Sequence, residues 1–168
     1  MDPLKVAAGT RQIQDSPFIL SVLVVRNDSL ILEYYAPGLV SENDFPIQEI
    51  SASILSALVG QAIDRGIVRS AQEKVLPYFP DFDTSQLDPR KRQWTVEQML
   101  TMRTGIDWNG AADNLKYFNS GNNWLRTALG LPLRYAPGDS FNYTTPNANI
   151  LAALLTRAYG MSLYRFAE

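Results

Sequence analysis

Two hydroxyl groups hold the positions where this chain could do chemistry. Ser51 lies at the start of a strongly apolar helical pattern, Ser51 to Gly66. A serine oxygen there would sit near the positive end of the helix, where backbone amides could serve an oxyanion. Tyr143 lies in Phe141-Asn142-Tyr143-Thr144-Thr145, just ahead of Pro146. A tyrosine there can act as a general base if a neighbouring cation lowers its pKa. Each residue also has a plainer reading. Ser51 can be a simple helix N-cap, and Tyr143 a packed aromatic with a satisfied hydroxyl. The 168 residues include no Cys and no His. This excludes disulfides, thiol nucleophiles, histidine-based triads and His- or Cys-held zinc. Any acid–base chemistry must then use carboxylates, lysine or tyrosine.

The elements that must position these hydroxyls are legible as a pattern. Phe18–Val25 and Leu30–Tyr35 are dense in aliphatic and β-branched residues, with Arg26-Asn27-Asp28-Ser29 between them, which predicts a β-hairpin. Ile54, Leu55, Leu58, Val59, Ala62 and Ile63 recur at helical spacing, and Gly66 is placed to end that helix in a left-handed conformation. Val75–Phe82 carries two prolines and reads as irregular. Thr95-Val96-Glu97-Gln98 has capping-box spacing, opening a helix with Met99, Leu100 and Met102 that Gly105 stops. Gly121–Leu129 reads as a short helix and Pro137-Gly138 as a turn. Thr145 is the expected N-cap of a helix whose apolar face is Ile150, Leu151, Leu154, Leu155 and Ala158, with Gly160 ending it. Ser162 then reads as the N-cap of a last helix from Leu163. One hairpin followed only by helices predicts an α+β fold with an unpartnered sheet edge.

Several blocks read together carry a resemblance. Ile50-Ser51-Ala52-Ser53-Ile54-Leu55-Ser56-Ala57-Leu58-Val59-Gly60 resembles the nucleophile helix of the serine β-lactamase-related hydrolases. These include class C β-lactamases, penicillin-binding DD-peptidases and related esterases. Leu100-Thr101-Met102-Arg103-Thr104-Gly105-Ile106-Asp107-Trp108 resembles that family's L-T-M-x-S-G-L-x-W segment. Pro137-Gly138-Asp139-Ser140-Phe141-Asn142-Tyr143 resembles its P-G-x-x-F-x-Y segment. The likeness runs from about Ser16 to the end. It implies a β-lactamase/transpeptidase-like fold, incomplete here, in a single partial domain over 1–168. The hairpin at 16–38 would belong to the α/β part, and 51–168 would hold the nucleophile helix and the helical region.

The resemblance implies acyl-enzyme chemistry on an amide, ester or β-lactam. Ser51 would be the nucleophile and Tyr143 a proton shuttle. Trp108 would line the substrate cleft, and Thr145 would hold the place of a polar substrate contact, often asparagine in the family. The chain departs from the pattern at one decisive point. The family reads S-x-x-K, whereas position 54 is Ile, and Lys5, Lys74, Lys91 and Lys116 all lie far from Ser51 in sequence. A later Lys-Thr-Gly or His-x-Gly motif is also absent, and Arg103-Thr104-Gly105 reads as a decoy at a helix end. The expectation is therefore an impaired or inactive serine hydrolase. The alternative is a non-enzymatic family member that serves as a binding module.

The expected partner is a small-molecule acyl substrate, with no cofactor and no metal. Asp81 and Asp83 lack further ligands at calcium-loop spacing. Lys and Arg number 15 against 17 Asp and Glu, a net charge of −2, so no nucleic-acid surface is expected. Arg90-Lys91-Arg92 reads as a solvated loop, and Tyr34, Tyr35, Tyr78, Phe79 and Phe82 as packing residues. Met1–Ser16 has no apolar signal-peptide core, and no run approaches the roughly 20 apolar residues a membrane helix needs. The compartment is left open. The uncovered sheet edge or face is expected either to be covered by another chain, by self-association, or to remain exposed as an apolar patch.

Overall fold

A computed structural model describes residues 2–121 and 123–167. The chain divides into two compact units, Met1–Ile47 and Gln48–Glu168. The first unit opens with α1 (Pro3–Gln14), which the apolar pattern does not announce because none of its residues is buried. Its start is nevertheless a standard one. The Asp2 carboxylate accepts from the Leu4 amide at 2.9 Å and Pro3 occupies the first turn. The hairpin follows as β1 (Ser21–Arg26) and β2 (Ser29–Tyr35), paired antiparallel from Ser21↔Tyr35 to Arg26↔Ser29. Asn27 and Asp28 take φ of 49° and 58°, as a two-residue type I′ turn demands at both central positions. A bulge at Val24/Val25 leaves Ile31 without a partner. Among the described residues this two-stranded sheet is the whole of the β structure beyond isolated bridges.

The second unit is helical: α2 (Ile50–Asp64), α3 (Val96–Leu100), α4 (Gly110–Phe118), α5 (Trp124–Gly130), α6 (Thr145–Tyr159) and α7 (Leu163–Ala167), with 3₁₀ turns at Leu76–Tyr78 and Pro89–Gln93. α2 buries Leu55, Leu58, Val59 and Ala62, an i, i+3, i+4, i+7 stripe. Ile54, expected on that face, is 46% exposed: it lies at the rim of the stripe, about 90° from its centre. Gly66 takes φ +69° just past the helix, as expected. Thr95 and Gln98 form the full reciprocal capping box at the start of α3. α6 contributes Ile150, Leu151, Leu154 and Leu155 to the core and ends on Gly160 at φ +68°. These pack with Trp94, Met99, Phe79, Ile106 and Leu129. The helix expected over Gly121–Leu129 is α5, and Asn122 lies outside the described residues, as does the Glu168 end of the last helix. α4 carries no expectation from the sequence.

Two expectations need correction. Lys91 is not in a solvated loop: it is 1% exposed. Its ammonium donates to the Leu129 and Leu131 carbonyls, both at 2.5 Å, and lies 5.2 Å from the Trp94 ring centre. These carbonyls flank the C-terminal end of α5, where a helix leaves acceptors unpaired and favours a cation. Thr145 is the first residue of α6, not its cap. Thr144, in extended conformation, holds the N-cap position, and the Thr145 hydroxyl is engaged elsewhere, as described below.

Irregular backbone, not sheet, locks the segments after α3 and before α6. The Asp107 amide donates to Pro132 O at 2.9 Å, Arg134 to Gly105 O at 2.9 Å, Gly138 to Arg103 O at 2.7 Å and Asn142 to Met102 O at 2.9 Å. Gly105 is required here. Its φ is +79°, and a Cβ would lie 2.3 Å from the Tyr135 carbonyl oxygen.

Candidate active site

Ser51 is the second residue of α2, behind an N-cap position held by Glu49, whose side chain makes no capping bond. The N-cap reading of Ser51 therefore does not hold, and its hydroxyl is not spent on the helix start. Its surroundings differ from the expected oxyanion site. The Ser51 amide donates to Gln48 O at 3.1 Å and the Ala52 amide to Glu49 O at 3.0 Å. The amides nearest the serine are thus occupied by the turn that leads into the helix. Gln48 pays for that turn with φ +47°, a left-handed value uncommon outside glycine.

Tyr143 comes from the stretch between the Pro137-Gly138 turn and α6. Its neighbour Asn142 anchors that stretch, its side-chain amide donating to Ile106 O and Trp108 O, both at 3.1 Å. The Tyr143 ring remains 44% exposed. Burial, and then the negative charge of Glu49, hold its hydroxyl above the ordinary tyrosine value of 10.0. A base would need the opposite shift.

Ser51 and Tyr143 line one cavity of about 280 Å³, together with Thr145 and Asn114. Gln48, Glu49, Ala52, Met102, Phe118, Thr144, Ala148 and Asn149 complete the wall. Glu49 is the one charged side chain among these described lining residues, and no lysine or arginine is present. Ile54 places an exposed alkyl group where the family pattern has an ammonium.

The polar wall is ordered by side-chain bonds. The Thr145 hydroxyl donates to Asn114 Oδ1 at 2.8 Å. Asn149 Nδ2 donates to the Tyr117 hydroxyl at 2.8 Å, and that hydroxyl donates to Trp124 O at 3.1 Å. Met102 takes φ +55° and its sulfur accepts from Asn147 Nδ2 at 3.3 Å. The buried Asn147 in turn accepts from the Thr104 hydroxyl at 3.0 Å. So in Arg103-Thr104-Gly105 the threonine and glycine are packed scaffold, while Arg103 is exposed.

Three of the four expected site residues, Ser51, Tyr143 and Thr145, come together here. Trp108 does not join them. It is 6% exposed, edge-on to Tyr117 with centroids 5.7 Å apart, and borders a separate cavity of about 730 Å³ with Asp107, Asp113, Lys116 and Arg134. Asn114, Met102 and Glu49 escaped sequence reasoning. The signal for Asn114 would have been α4 itself. Among the described residues no cluster of three or more acidic, His or Cys side chains could hold a metal. No described helix is long and apolar enough to cross a membrane.

Comparison with known proteins gives a consistent result. The chain is 28% identical over 153 residues to the 6-aminohexanoate-dimer hydrolase of Paenarthrobacter ureafaciens, an alignment covering 83% of this chain and 38% of that protein. A "putative beta-lactamase" from Bacteroides dorei DSM 17855 superposes with a TM-score of 0.74 at 20% identity, over 99% of this chain and 49% of that one. A "putative 6-aminohexanoate-dimer hydrolase" from Bacillus anthracis gives 0.69 at 16% identity, over 99% and 45%. The chain therefore spans about two fifths to one half the length of these relatives, and the fold it shares with them is a partial β-lactamase fold. The Beta-lactamase family model matches residues 20–168, nearly the whole sequence, and the chain belongs to that family.

Proposed function

We propose that this chain carries the nucleophile region of a serine hydrolase acting on a small acyl compound through an acyl-enzyme, with catalysis impaired in the chain as it stands. The observation that carries the reading is the shared cavity of Ser51 and Tyr143. In the reaction, Ser51 Oγ bonds to the acyl carbon as its proton passes to the phenolate oxygen of deprotonated Tyr143. The bond to the leaving nitrogen or oxygen breaks, and that atom takes the proton. Water then releases the acid and returns Ser51. The impairment follows from electrostatics. An unperturbed serine needs a positioned base, yet Tyr143 is held protonated at neutral pH by burial and by Glu49, with no cation on the wall to oppose them.

The test is covalent labelling of Ser51 with a fluorophosphonate, followed by mass spectrometry. Slow, Ser51-specific labelling that vanishes in Ser51→Ala and Tyr143→Phe supports the reading. Fast stoichiometric labelling would remove the impairment, and labelling elsewhere would remove Ser51 as the nucleophile. A second reading is favoured by the exposed Ile54 beside the serine and the occupied Ser51 amide. The cavity would then hold an acyl compound without turning it over. Saturable binding of an amide without any labelling distinguishes it.

A further inference from the structure

The cavity that Trp108 borders holds two pairs of opposite charge, and only one of them is satisfied. Asp113 is spent: its Oδ2 accepts from the Asn109 amide at 2.7 Å and its Oδ1 from the Lys116 ammonium at 3.3 Å. Asp107 and Arg134 differ. Their charged groups approach only to 3.9 Å, beyond hydrogen-bond reach, and neither side chain has a described hydrogen-bond partner. The pair stands partly in solvent, with Asp107 51% and Arg134 64% exposed, so a ligand can part it with little loss. Backbone bonds fix where the two charges stand. Ile106 and Leu133 form an antiparallel bridge, flanked by the Asp107 amide on Pro132 O and the Arg134 amide on Gly105 O, both at 2.9 Å. The Arg134 guanidinium also lies 5.7 Å from the Tyr135 ring centre. Trp108, Tyr117 and Leu131 give the same cavity an apolar lining. Its volume of about 730 Å³ falls within the ~300–1,000 Å³ of small-molecule sites.

We propose that this cavity binds a free α-amino acid with a large apolar side chain. The ligand carboxylate pairs with the Arg134 guanidinium, a planar fork of donors suited to it. The ligand ammonium pairs with the Asp107 carboxylate. An α-amino acid carries both charges on one carbon, so its head group matches two counter-charges 3.9 Å apart. The termini of a peptide, separated by its backbone, do not. The apolar side chain enters among Trp108, Tyr117 and Leu131. Backbone bonds already hold both charged residues in register, which cuts the ordering that binding would otherwise require. The site shares no lining residue with the Ser51 cavity and stands apart from the functional reading above.

The test is an NMR titration of the full chain with each enantiomer of phenylalanine. Three further probes each lack one element: phenylalanine amide the carboxylate, N-acetylphenylalanine the ammonium, glycine the side chain. At least one enantiomer of phenylalanine should bind saturably, about tenfold or more tightly than these three, and shift the Trp108 indole N–H resonance. Arg134→Gln should weaken phenylalanine about tenfold and leave the amide unchanged. Asp107→Asn should weaken phenylalanine about tenfold and leave N-acetylphenylalanine unchanged. A loss of structure would instead weaken every probe alike. No saturable binding of either enantiomer, equal affinity for phenylalanine and its blocked forms, or shifts centred on Tyr143 and not on Trp108 overturns the assignment. Tighter binding of N-acetylphenylalanine would mean a peptide C-terminus, and tighter binding of the amide a peptide N-terminus; either overturns it as well. Ser51→Ala should leave phenylalanine binding unchanged, so the outcome does not depend on Ser51 as nucleophile.

Discussion

At the scale of single residues, two charges govern what the molecule can do. Glu49 faces the same cavity as Tyr143 and raises its pKa, after burial. The tyrosinate form is therefore reached only above the ordinary value of 10.0. Ser51 labelling should keep rising with pH past that value, and Glu49→Gln should move the rise to lower pH. A plateau near neutrality would assign the base to another group. The second charge is Lys91. Burial lowers its ammonium to about 8 from 10.5. The folded chain then holds this proton less tightly than the unfolded chain. The stability it contributes increases as pH climbs from about 8 to 10.5. Lys91→Met leaves the Leu129 and Leu131 carbonyls without their donor, and should cost about 1–3 kcal/mol in denaturant unfolding. The gap between the two proteins should widen across that pH window. A gap that narrows would mean that the two carbonyls, not burial, set the proton affinity of Lys91.

At the scale of elements, legibility tracked apolar patterning. α2 and α6 each write a buried stripe into the sequence, the hairpin writes two aliphatic, β-branched runs around a turn although none of its strand residues is buried, and the capping box announces α3. α1 buries nothing, so no apolar period marks it. α4 buries only Tyr117 and begins on Gly110, a residue that ordinarily argues against a helix. The site divides in the same way. Ser51 and Tyr143 sit beside strong elements and could be placed. Asn114 rides on α4 and could not. The turn that occupies the Ser51 amide depends on a left-handed Gln48, a backbone state for which no sequence rule prepares. Gly105 is the element-level test. Alanine there combines a disfavoured φ with a clash on the Tyr135 carbonyl. Gly105→Ala should lose about 2–4 kcal/mol of stability by chemical denaturation. A loss below about 1 kcal/mol would mean that the contact between these segments yields easily.

For the molecule as a whole, the hairpin is the exposed liability. Leu23 is 59% exposed, Val25 63% and Leu30 51%, on a sheet that has two strands among the described residues. Such a ribbon is marginal by itself and prone to pair with another strand. The chain should associate with increasing concentration in sedimentation. Leu23→Lys with Val25→Lys, which puts like charges on one face of β1, should return it to monomer. Concentration-independent sedimentation of the unmodified chain would contradict this. The helical unit offers the reverse case in its irregular ladder between 102–107 and 132–142. The bond from Asp107 to Pro132 closes the span that carries α4 and α5. Such a span is a cassette: its ends are fixed by backbone atoms, whatever side chains lie between. Lengthening a closed segment is cheap, about 0.6 kcal/mol for each doubling. A lineage could therefore exchange the α4 portion, and with it the group at position 114, while the floor beneath Ser51 stayed in place. Ligand preference and scaffold can then drift on separate clocks.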